Sequence, residues 1–292
     1  MKLSILIPTY NQDCTKLVTD LAEQCKQSCI DYEILVMDDA SSDQEAVKAN
    51  RRLVNVPNCS FYEFLYNQGR SHVRNRLIKR SKGDYLLFVD SDAVVSSPDF
   101  ISNYLKHLPT KAVISGGIIH PDSLPSHRQS LRYMYEKRCE LMLTAEKRNQ
   151  HPYQNLRTFN VLIPREVAVS HPFNENITRY GYEDNVLGLD LQRDEIQIQH
   201  VDNPLVNGDI ESNLVFLRKT EESLRTLKQL EDRLRGSSTL IDYYDRLKAK
   251  HLTGLMSFIY YLLYIPVRLW LLSPWPSFKV FQFYKLAYYC SL

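Results

Sequence analysis

Two short acidic runs carry most of the chemistry that this chain could perform. Asp90-Ser91-Asp92 closes an apolar stretch, Leu86-Leu87-Phe88-Val89, and Glu183-Asp184 opens a segment that reads as a polar helix. A stretch that is apolar at every position suits a strand buried on both faces of a parallel sheet. Its carboxylates then emerge at the C-terminal edge, where open α/β sheets bind ligands. Two aspartates one residue apart let a turn aim both at one hard cation, which could in turn bridge diphosphate oxygens. Alone, an Asp-x-Asp is more often a solvated turn, and an acidic helix start is favoured by the helix dipole whatever the function. The neighbouring elements decide between these readings.

Ser4-Ile5-Leu6-Ile7-Pro8-Thr9-Tyr10-Asn11 reads as a first strand ending in a turn. Glu33-Ile34-Leu35-Val36-Met37 runs the same way into Asp38-Asp39-Ala40-Ser41-Ser42-Asp43. Three apolar strands therefore finish on polar turns. Asn67-Gln68-Gly69-Arg70 opens a helix containing Arg74-Asn75, and Lys82-Gly83-Asp84 separates that helix from the acidic strand. With these pieces in this order, and Gly181-Tyr182-Glu183-Asp184-Asn185 about ninety residues on, the chain resembles a family 2 glycosyltransferase with the GT-A fold over roughly residues 1–220.

The resemblance implies a role for each piece. Pro8, Thr9, Tyr10, Asp38, Asp39 and Gly69 would surround the nucleotide, with a carboxylate accepting from a ring N–H of uracil or a similar base. Helix capping is the competing reading of the Asp38-Asp39 turn, since Ser41 or Ser42 followed by Glu45 is an N-terminal signal and Asp43 can serve the same helix. Arg74 would reach the diphosphate or brace the metal loop, set against an ordinary place among the surface arginines and lysines of its helix. Asp92 would be the direct metal ligand and Asp90 the ribose or water-mediated partner, with Mg²⁺ or Mn²⁺ the cation that oxygen ligands favour over zinc. In the segment after the last strand, His200 is expected to be structural, and Asn207 falls at the third ligand position. Asp184 would be the base that takes the acceptor hydroxyl's proton during inversion, and Glu183 would orient the acceptor or loop. Gly181 would allow close backbone approach.

Departures from the family pattern sharpen the expectation. Ala40 replaces the usual glycine, and Ala93 stands where many members carry another acid. A Gln-x-x-Arg-Trp motif is absent after the Glu-Asp helix, since the first tryptophan is Trp270. A non-processive enzyme follows. A sugar nucleotidyltransferase would want a glycine-rich, lysine-containing loop near the N-terminus, which Pro8-Thr9-Tyr10-Asn11 is not. A catalytically dead scaffold is disfavoured by the intact acidic clusters.

At 292 residues with 44% hydrophobic content, the chain can bury a full core. Met1-Lys2-Leu3-Ser4 leads directly into a strand, and six cysteines without zinc or disulfide spacing fit reduced thiols, so a cytoplasmic protein is expected. The net charge of +2 hides an asymmetry. Arg246, Lys248, Lys250, Arg268, Lys279 and Lys285 lie beyond Asp245, and none of the 34 acidic residues does. Leu252 to Val267 is uncharged, slightly short for a span, and interrupted by Pro266 and Arg268. Trp270, Trp275, Tyr284, Tyr288 and Tyr289 favour a headgroup interface. An in-plane anchor, a tail packed on protein, and a single span compete for this region.

Asn213 to Arg235 reads as an amphipathic helix with a leucine stripe. Across 121–157, basic residues outnumber acidic ones. That fits either a phosphate-bearing acceptor or a solvated helix with Arg132, Glu136 and Glu140 at four-residue spacing. The expected organisation is therefore an α/β GT-A catalytic domain over 1–220, a helical connector over 221–251, and a membrane-associating tail over 252–292. Its expected partners are a nucleotide-diphosphate sugar, most simply a UDP-sugar, a glycan or lipid-linked saccharide acceptor, and the cytoplasmic leaflet of the cell membrane. Homo-oligomers are allowed, and nucleic acid is not expected.

Overall fold

In the computed structural model, which describes all 292 residues, the apolar runs become strands ending at the expected turns. In chain order they are β1 (Lys2–Thr9), β2 (Asp31–Asp38), β3 (Cys59–Glu63), β4 (Tyr85–Val89), β5 (Ala93–Val94), β6 (Val113–Ser115), β7 (Ile118–Ile119), β8 (Asn160–Pro164), β9 (Ile198–His200) and β10 (Leu205–Asn207). Seven of them form one mixed sheet in the order β3-β2-β1-β4-β8-β6-β9. The first four are parallel, and β8 runs antiparallel to both β4 and β6. A small second sheet, β5-β10-β7, follows the acidic turn.

Strand order reverses at β1, which has β2 on one side and β4 on the other. Helices pack on both faces there, the kind of switch point at which open α/β sheets bind ligands. Side-chain alternation explains the two faces. Leu3, Ile5 and Ile7 pack with Leu17, Val18 and Leu21 of helix Thr15–Gln27, while Leu6 packs with Val73 and Leu77 of helix Arg70–Arg80. Ser4 is buried among them and is fully satisfied. Its hydroxyl donates to Glu33 Oε1 at 2.6 Å and accepts from the Gly83 N–H at 2.8 Å.

The chain divides into two units, and the division is not contiguous. The first holds both sheets and comprises Met1–Ile119, Leu143–Thr178 and Glu183–Asp209. The second is helical and comprises His120–Met142, Arg179–Tyr182 and Ile210–Leu292. The expected boundaries at 220 and 251 are corrected accordingly: connector and tail belong to one helical unit, which also takes residues from inside the expected catalytic domain. Its physical reason lies in the last helix, Phe278–Ser291, where Phe281, Tyr284, Tyr288 and Tyr289 are buried. Tyr284 donates to Glu221 at 2.6 Å and Tyr289 to Glu231 at 2.9 Å, so the tail's tyrosines find upstream the carboxylates that the tail lacks. Arg268 pairs with the same Glu221. The leucine stripe is buried at Leu217, Leu224, Leu227 and Leu234, as core packing requires.

Arg132, Glu136 and Glu140 lie on helix Ser130–Met142, but not on a solvated face. Arg132 bonds Glu136 at 3.0 Å, and buried His120 lies 3.0 Å from Glu136 by Nε2 and 3.0 Å from Glu140 by Nδ1. Gly181, with φ +98°, lies so close to Ser223 that a Cβ there would meet its side chain at 2.7 Å. Glycine's missing side chain makes room for this contact with Ser223.

Gly83, just before β4, is a position where a side chain has no room. A Cβ would fall 2.6 Å from the Ser4 nitrogen and 2.9 Å from the Lys2 carbonyl, both backbone atoms that cannot swing aside. Gly83→Ala should therefore destabilise the protein by about 2 kcal/mol, the usual scale of overpacking. Chemical denaturation should show a lowered midpoint, and an unchanged midpoint would mean that the close approach is not rigid.

Candidate active site

Thr9 and Asp38 are register partners at the ends of β1 and β2, and the Asp39 N–H donates to the Thr9 carbonyl at 2.9 Å. From this edge two loops are held by carboxylates. Asp38 accepts from the backbone N–H and the hydroxyl of Ser41, closing its own turn. Asp39 accepts from Gln68 N–H at 2.7 Å and Gly69 N–H at 2.9 Å, which pins the loop that opens helix Arg70–Arg80. Burial pushes the Asp39 carboxyl above the usual range, and those two amides pull it back. Gly69 adopts φ +89°, a conformation open to glycine without strain. Ala40 adopts φ +60° despite its Cβ, a left-handed conformation that costs a residue with a side chain about 1 kcal/mol.

The helix that follows this turn is capped by Asp43, which accepts from Glu45 and Ala46 N–H groups. Asn11 stitches the two turns together by accepting from Ser42 and Asp43. Pro8, Thr9, Tyr10, Asp38, Asp39 and Gly69 are thus brought to one edge. Tyr10 is 51% exposed at its mouth, whereas Thr9 and both aspartates are buried.

Behind this edge lies a charged network that joins the two acidic runs. Arg74 is only 2% exposed, and its Nη2 donates to Asp90 Oδ1 at 2.8 Å while Nη1 lies 3.7 Å from Glu183 Oε1. Arg70, one helical turn earlier, donates from Nη1 to Glu183 Oε1 at 3.2 Å and places Nη2 3.7 Å from Asp90 Oδ2. Arg74 thereby joins the acidic turn to the start of the Glu183–Arg193 helix. The Arg74 guanidinium is withdrawn from solvent. Its Nε and Nη1 have no hydrogen-bond partner, and the Phe173 ring lies 5.4 Å from the guanidinium carbon.

Asp90 is correspondingly committed to arginine, and Asp92 stands two residues on in the same turn. Hard oxygen chemistry suits Mg²⁺ or Mn²⁺ here, but no group of three or more His, Cys, Asp or Glu side chains forms a cage. A cation at Asp92 would need further oxygens from a bound substrate. Gly208 N–H donates to the Asp92 carbonyl at 2.9 Å, and Asn207 pairs in register with Ala93, so the segment after β10 does border the acidic turn. His200 lies outside this arrangement. Its Nδ1 accepts from Arg148 at 3.2 Å and its Nε2 faces the Pro152 carbonyl at 2.9 Å. Burial lowers its pKa to about 4, so it is a neutral structural group.

Glu183 and Asp184 begin helix Glu183–Arg193 but do different things. Glu183 faces the two arginines. Asp184 accepts from the Thr158 hydroxyl at 2.6 Å and the Thr158 N–H at 3.2 Å, and it makes no ion pair within 4 Å. Thr158 adjoins the acidic turn through Phe159, whose carbonyl accepts from Asp90 N–H at 3.1 Å. Sequence reasoning missed Arg70 and Thr158. The four-residue spacing of Arg70 and Arg74 was a usable signal, whereas nothing in the sequence marks Thr158.

Comparison with known proteins places this geometry. Residues 4–165 match the family described as "Glycosyl transferase family 2". A poly(ribitol-phosphate) beta-glucosyltransferase of Bacillus spizizenii is 36% identical over 112 residues, covering 36% of this chain and 17% of that protein. Hyaluronan synthase of Streptococcus pyogenes is 30% identical over 117 residues, covering 38% and 28%. The matched stretches are thus small parts of these longer relatives. Among solved structures, S. aureus TarS 1–349 aligns with a TM-score of 0.51 at 18% identity over 76% of this chain and 64% of that one. Mannosyltransferase PcManGT from Pyrobaculum calidifontis, in complex with GDP-Man and Mn²⁺, aligns at 0.55 and 16% identity over 79% and 64%. At such identities the likeness is one of fold, and that fold is GT-A.

The environment of Asp184 has a consequence of its own. Burial pushes its carboxyl above the usual range and the Glu183 charge adds to this, while Arg74, Thr158 and Arg157 pull it back. The folded protein thus holds this proton more tightly than the unfolded chain, so the stabilising contribution present at acid pH is lost as pH rises through the raised pKa. Asp184→Asn removes the titration. Relative to the parent, its melting temperature should improve as pH rises from the ordinary aspartate range toward neutrality. A difference that stays flat across that window in thermal melts would contradict the raised pKa.

Proposed function

The chain belongs to glycosyltransferase family 2, and from that premise we propose an inverting, metal-dependent, non-processive enzyme that moves a sugar from a UDP-sugar to a glycan or lipid-linked saccharide. The observation that carries this reading is the division of labour between the paired acids. Glu183 is consumed by Arg70 and Arg74, while Asp184 beside it lacks an ion pair and has a raised proton affinity. A general base needs this combination, because a carboxylate locked against arginine is too weak an acceptor. Asp184 would take the acceptor hydroxyl's proton as its oxygen attacks the anomeric carbon from the face opposite the diphosphate. Thr158 would hold the carboxylate in place, and Glu183 would fix the helix start through the arginines.

On the donor side, the edge of Pro8, Thr9, Tyr10, Asp38 and Asp39 would take the nucleotide, with Tyr10 the exposed ring available to a base. Asp92 would hold Mn²⁺ or Mg²⁺, and Asp90 would hold ribose or a cation-bound water. The cation would supply charge neutralisation to the leaving diphosphate. TarS has been solved with UDP-GlcNAc, and a glucosyl-3-phosphoglycerate synthase with Mn²⁺ and UDP, which supports a uridine donor; PcManGT with GDP-Man is the counterexample that makes the base worth testing. We place the reaction at the cytoplasmic face of the cell membrane in surface-polysaccharide synthesis. Helix Thr253–Leu272, long and apolar enough to cross a bilayer by length and composition, supports a membrane-side location.

Two substitutions separate the roles. Asp92→Ala should abolish Mn²⁺-dependent binding of UDP in calorimetry, since the cation would lose its principal protein ligand. Unchanged affinity would remove Asp92 from the metal site. Asp184→Asn should retain UDP-sugar binding while lowering turnover by roughly two to four orders of magnitude, the contribution of a positioned base. Near-normal turnover would move the base elsewhere, and NMR of the product anomer tests inversion separately.

A further inference from the structure

Helix Thr253–Leu272 is apolar but for Arg268 and a few hydroxyls, yet it offers the helical unit only one side. Tyr260 and Leu271 are its two buried residues. Leu255, Phe258, Leu262, Ile265 and Leu269 recur at spacings of three and four, which sets them on one stripe on the side away from Tyr260 and Leu271. Each is 55–67% exposed. Tyr261 flanks the stripe, and Trp270 and Trp275 lie exposed at the helix's C-terminal end. A soluble surface seldom leaves so continuous an apolar line uncovered.

From this face we infer that the helix docks lengthwise on an anionic lipid surface, its stripe among the acyl chains near the headgroups and its opposite side seated on the protein. Charge selects this occupant. Arg246, Lys248 and Lys250 precede the helix and Lys279 follows it, all exposed, and no acidic residue lies beyond Asp245, which is itself paired with Arg235. A second copy packed on the same stripe would bring these cations into a shared interface with no tail carboxylate to balance them, whereas anionic headgroups supply the balance. Aromatic side chains at the C-terminal end and flank of the stripe suit the headgroup level.

A lengthwise position also fits the packing better than a span. One side of the helix is built into the unit through Tyr260, whose ring lies 5.8 Å from Tyr284 and 5.5 Å from Tyr288, and through Arg268 paired with Glu221. Crossing a bilayer would carry that ion pair and helix Phe278–Ser291 toward hydrocarbon, or strip them away. Pro266 lies inside the helix and lacks the N–H that would meet the Leu262 carbonyl, a gap that water at headgroup depth can fill.

The inference rests on the membrane-side part of the proposed function, and vesicle binding needs no sugar donor, so either can fail while the other holds. Full-length protein is mixed with sucrose-loaded vesicles of phosphatidylcholine, with or without phosphatidylglycerol, and sedimented. Binding should be strongest on the anionic vesicles at low salt, weaken several-fold at high salt without vanishing, and blue-shift the emission of the chain's two tryptophans. Leu255→Ser, Phe258→Ser and Leu262→Ser together should lower vesicle affinity at least about tenfold. Because these side chains are exposed, the melting temperature and UDP-sugar binding should stay unchanged. Removal of residues 252–292 is a poorer test, since it deletes the buried tyrosines. Failure to bind anionic vesicles at low salt, binding indifferent to the triple substitution, or a lipid-free dimer that the substitution dissolves would each overturn the proposal.

Discussion

A guanidinium withdrawn from water must be met by negative charge, and Arg74 meets it from two distant parts of the chain. Asp90 comes from the turn after β4 and Glu183 from the start of a helix that follows β8. Arg70, one turn away and half exposed, repeats both contacts at the solvent edge. Alternating charges of this kind hold their geometry because removing one member strands another in a poorly solvated place. The network thereby sets the spacing between the acidic turn and the paired acids, and Asp184, beside Glu183, is held by Thr158 instead of by a direct ion pair.

The loops at the ends of β1 and β2 obey the same economy of polar groups. Asp38, Asp39 and Asn11 spend their oxygens on backbone amides, so this edge is rigid before any ligand arrives. Each carboxylate oxygen retains a second lone pair, so organising a loop and accepting from a base are compatible tasks. Preorganisation of this kind lowers the ordering cost that binding would otherwise meet.

Much of the sheet unit was legible because its signals are local. Apolar runs ending in polar turns gave β1, β2 and β4, and the same turns placed Thr9, Asp38 and Asp90 at one edge. The resemblance gave Glu183 and Asp184 different roles, but the contacts that separate them were not legible, because they involve Arg70 and Thr158, which only the fold brings near. The helical unit was harder to read. Aromatics interleaved with lysines look alike whether their partner is lipid or protein, and both readings apply to adjacent helices. Tyr284 and Tyr289 face Glu221 and Glu231, whereas the stripe from Leu255 to Leu269 faces outward. Composition averages over that division, and periodicity cannot name the partner.

The interleaving of the two units bears on the order in which the protein is made. The sheet lacks an inner strand until β8 has emerged and an edge until β9 has, so its early parallel strands must wait for sequence synthesised far later. The helical unit waits longer still, because the tyrosines that close it lie on Phe278–Ser291. During translation the oily helix Thr253–Leu272 leaves the ribosome before the helix that seats it. For that interval both of its sides are uncovered, and a chaperone that shields apolar nascent segments would find its natural client there.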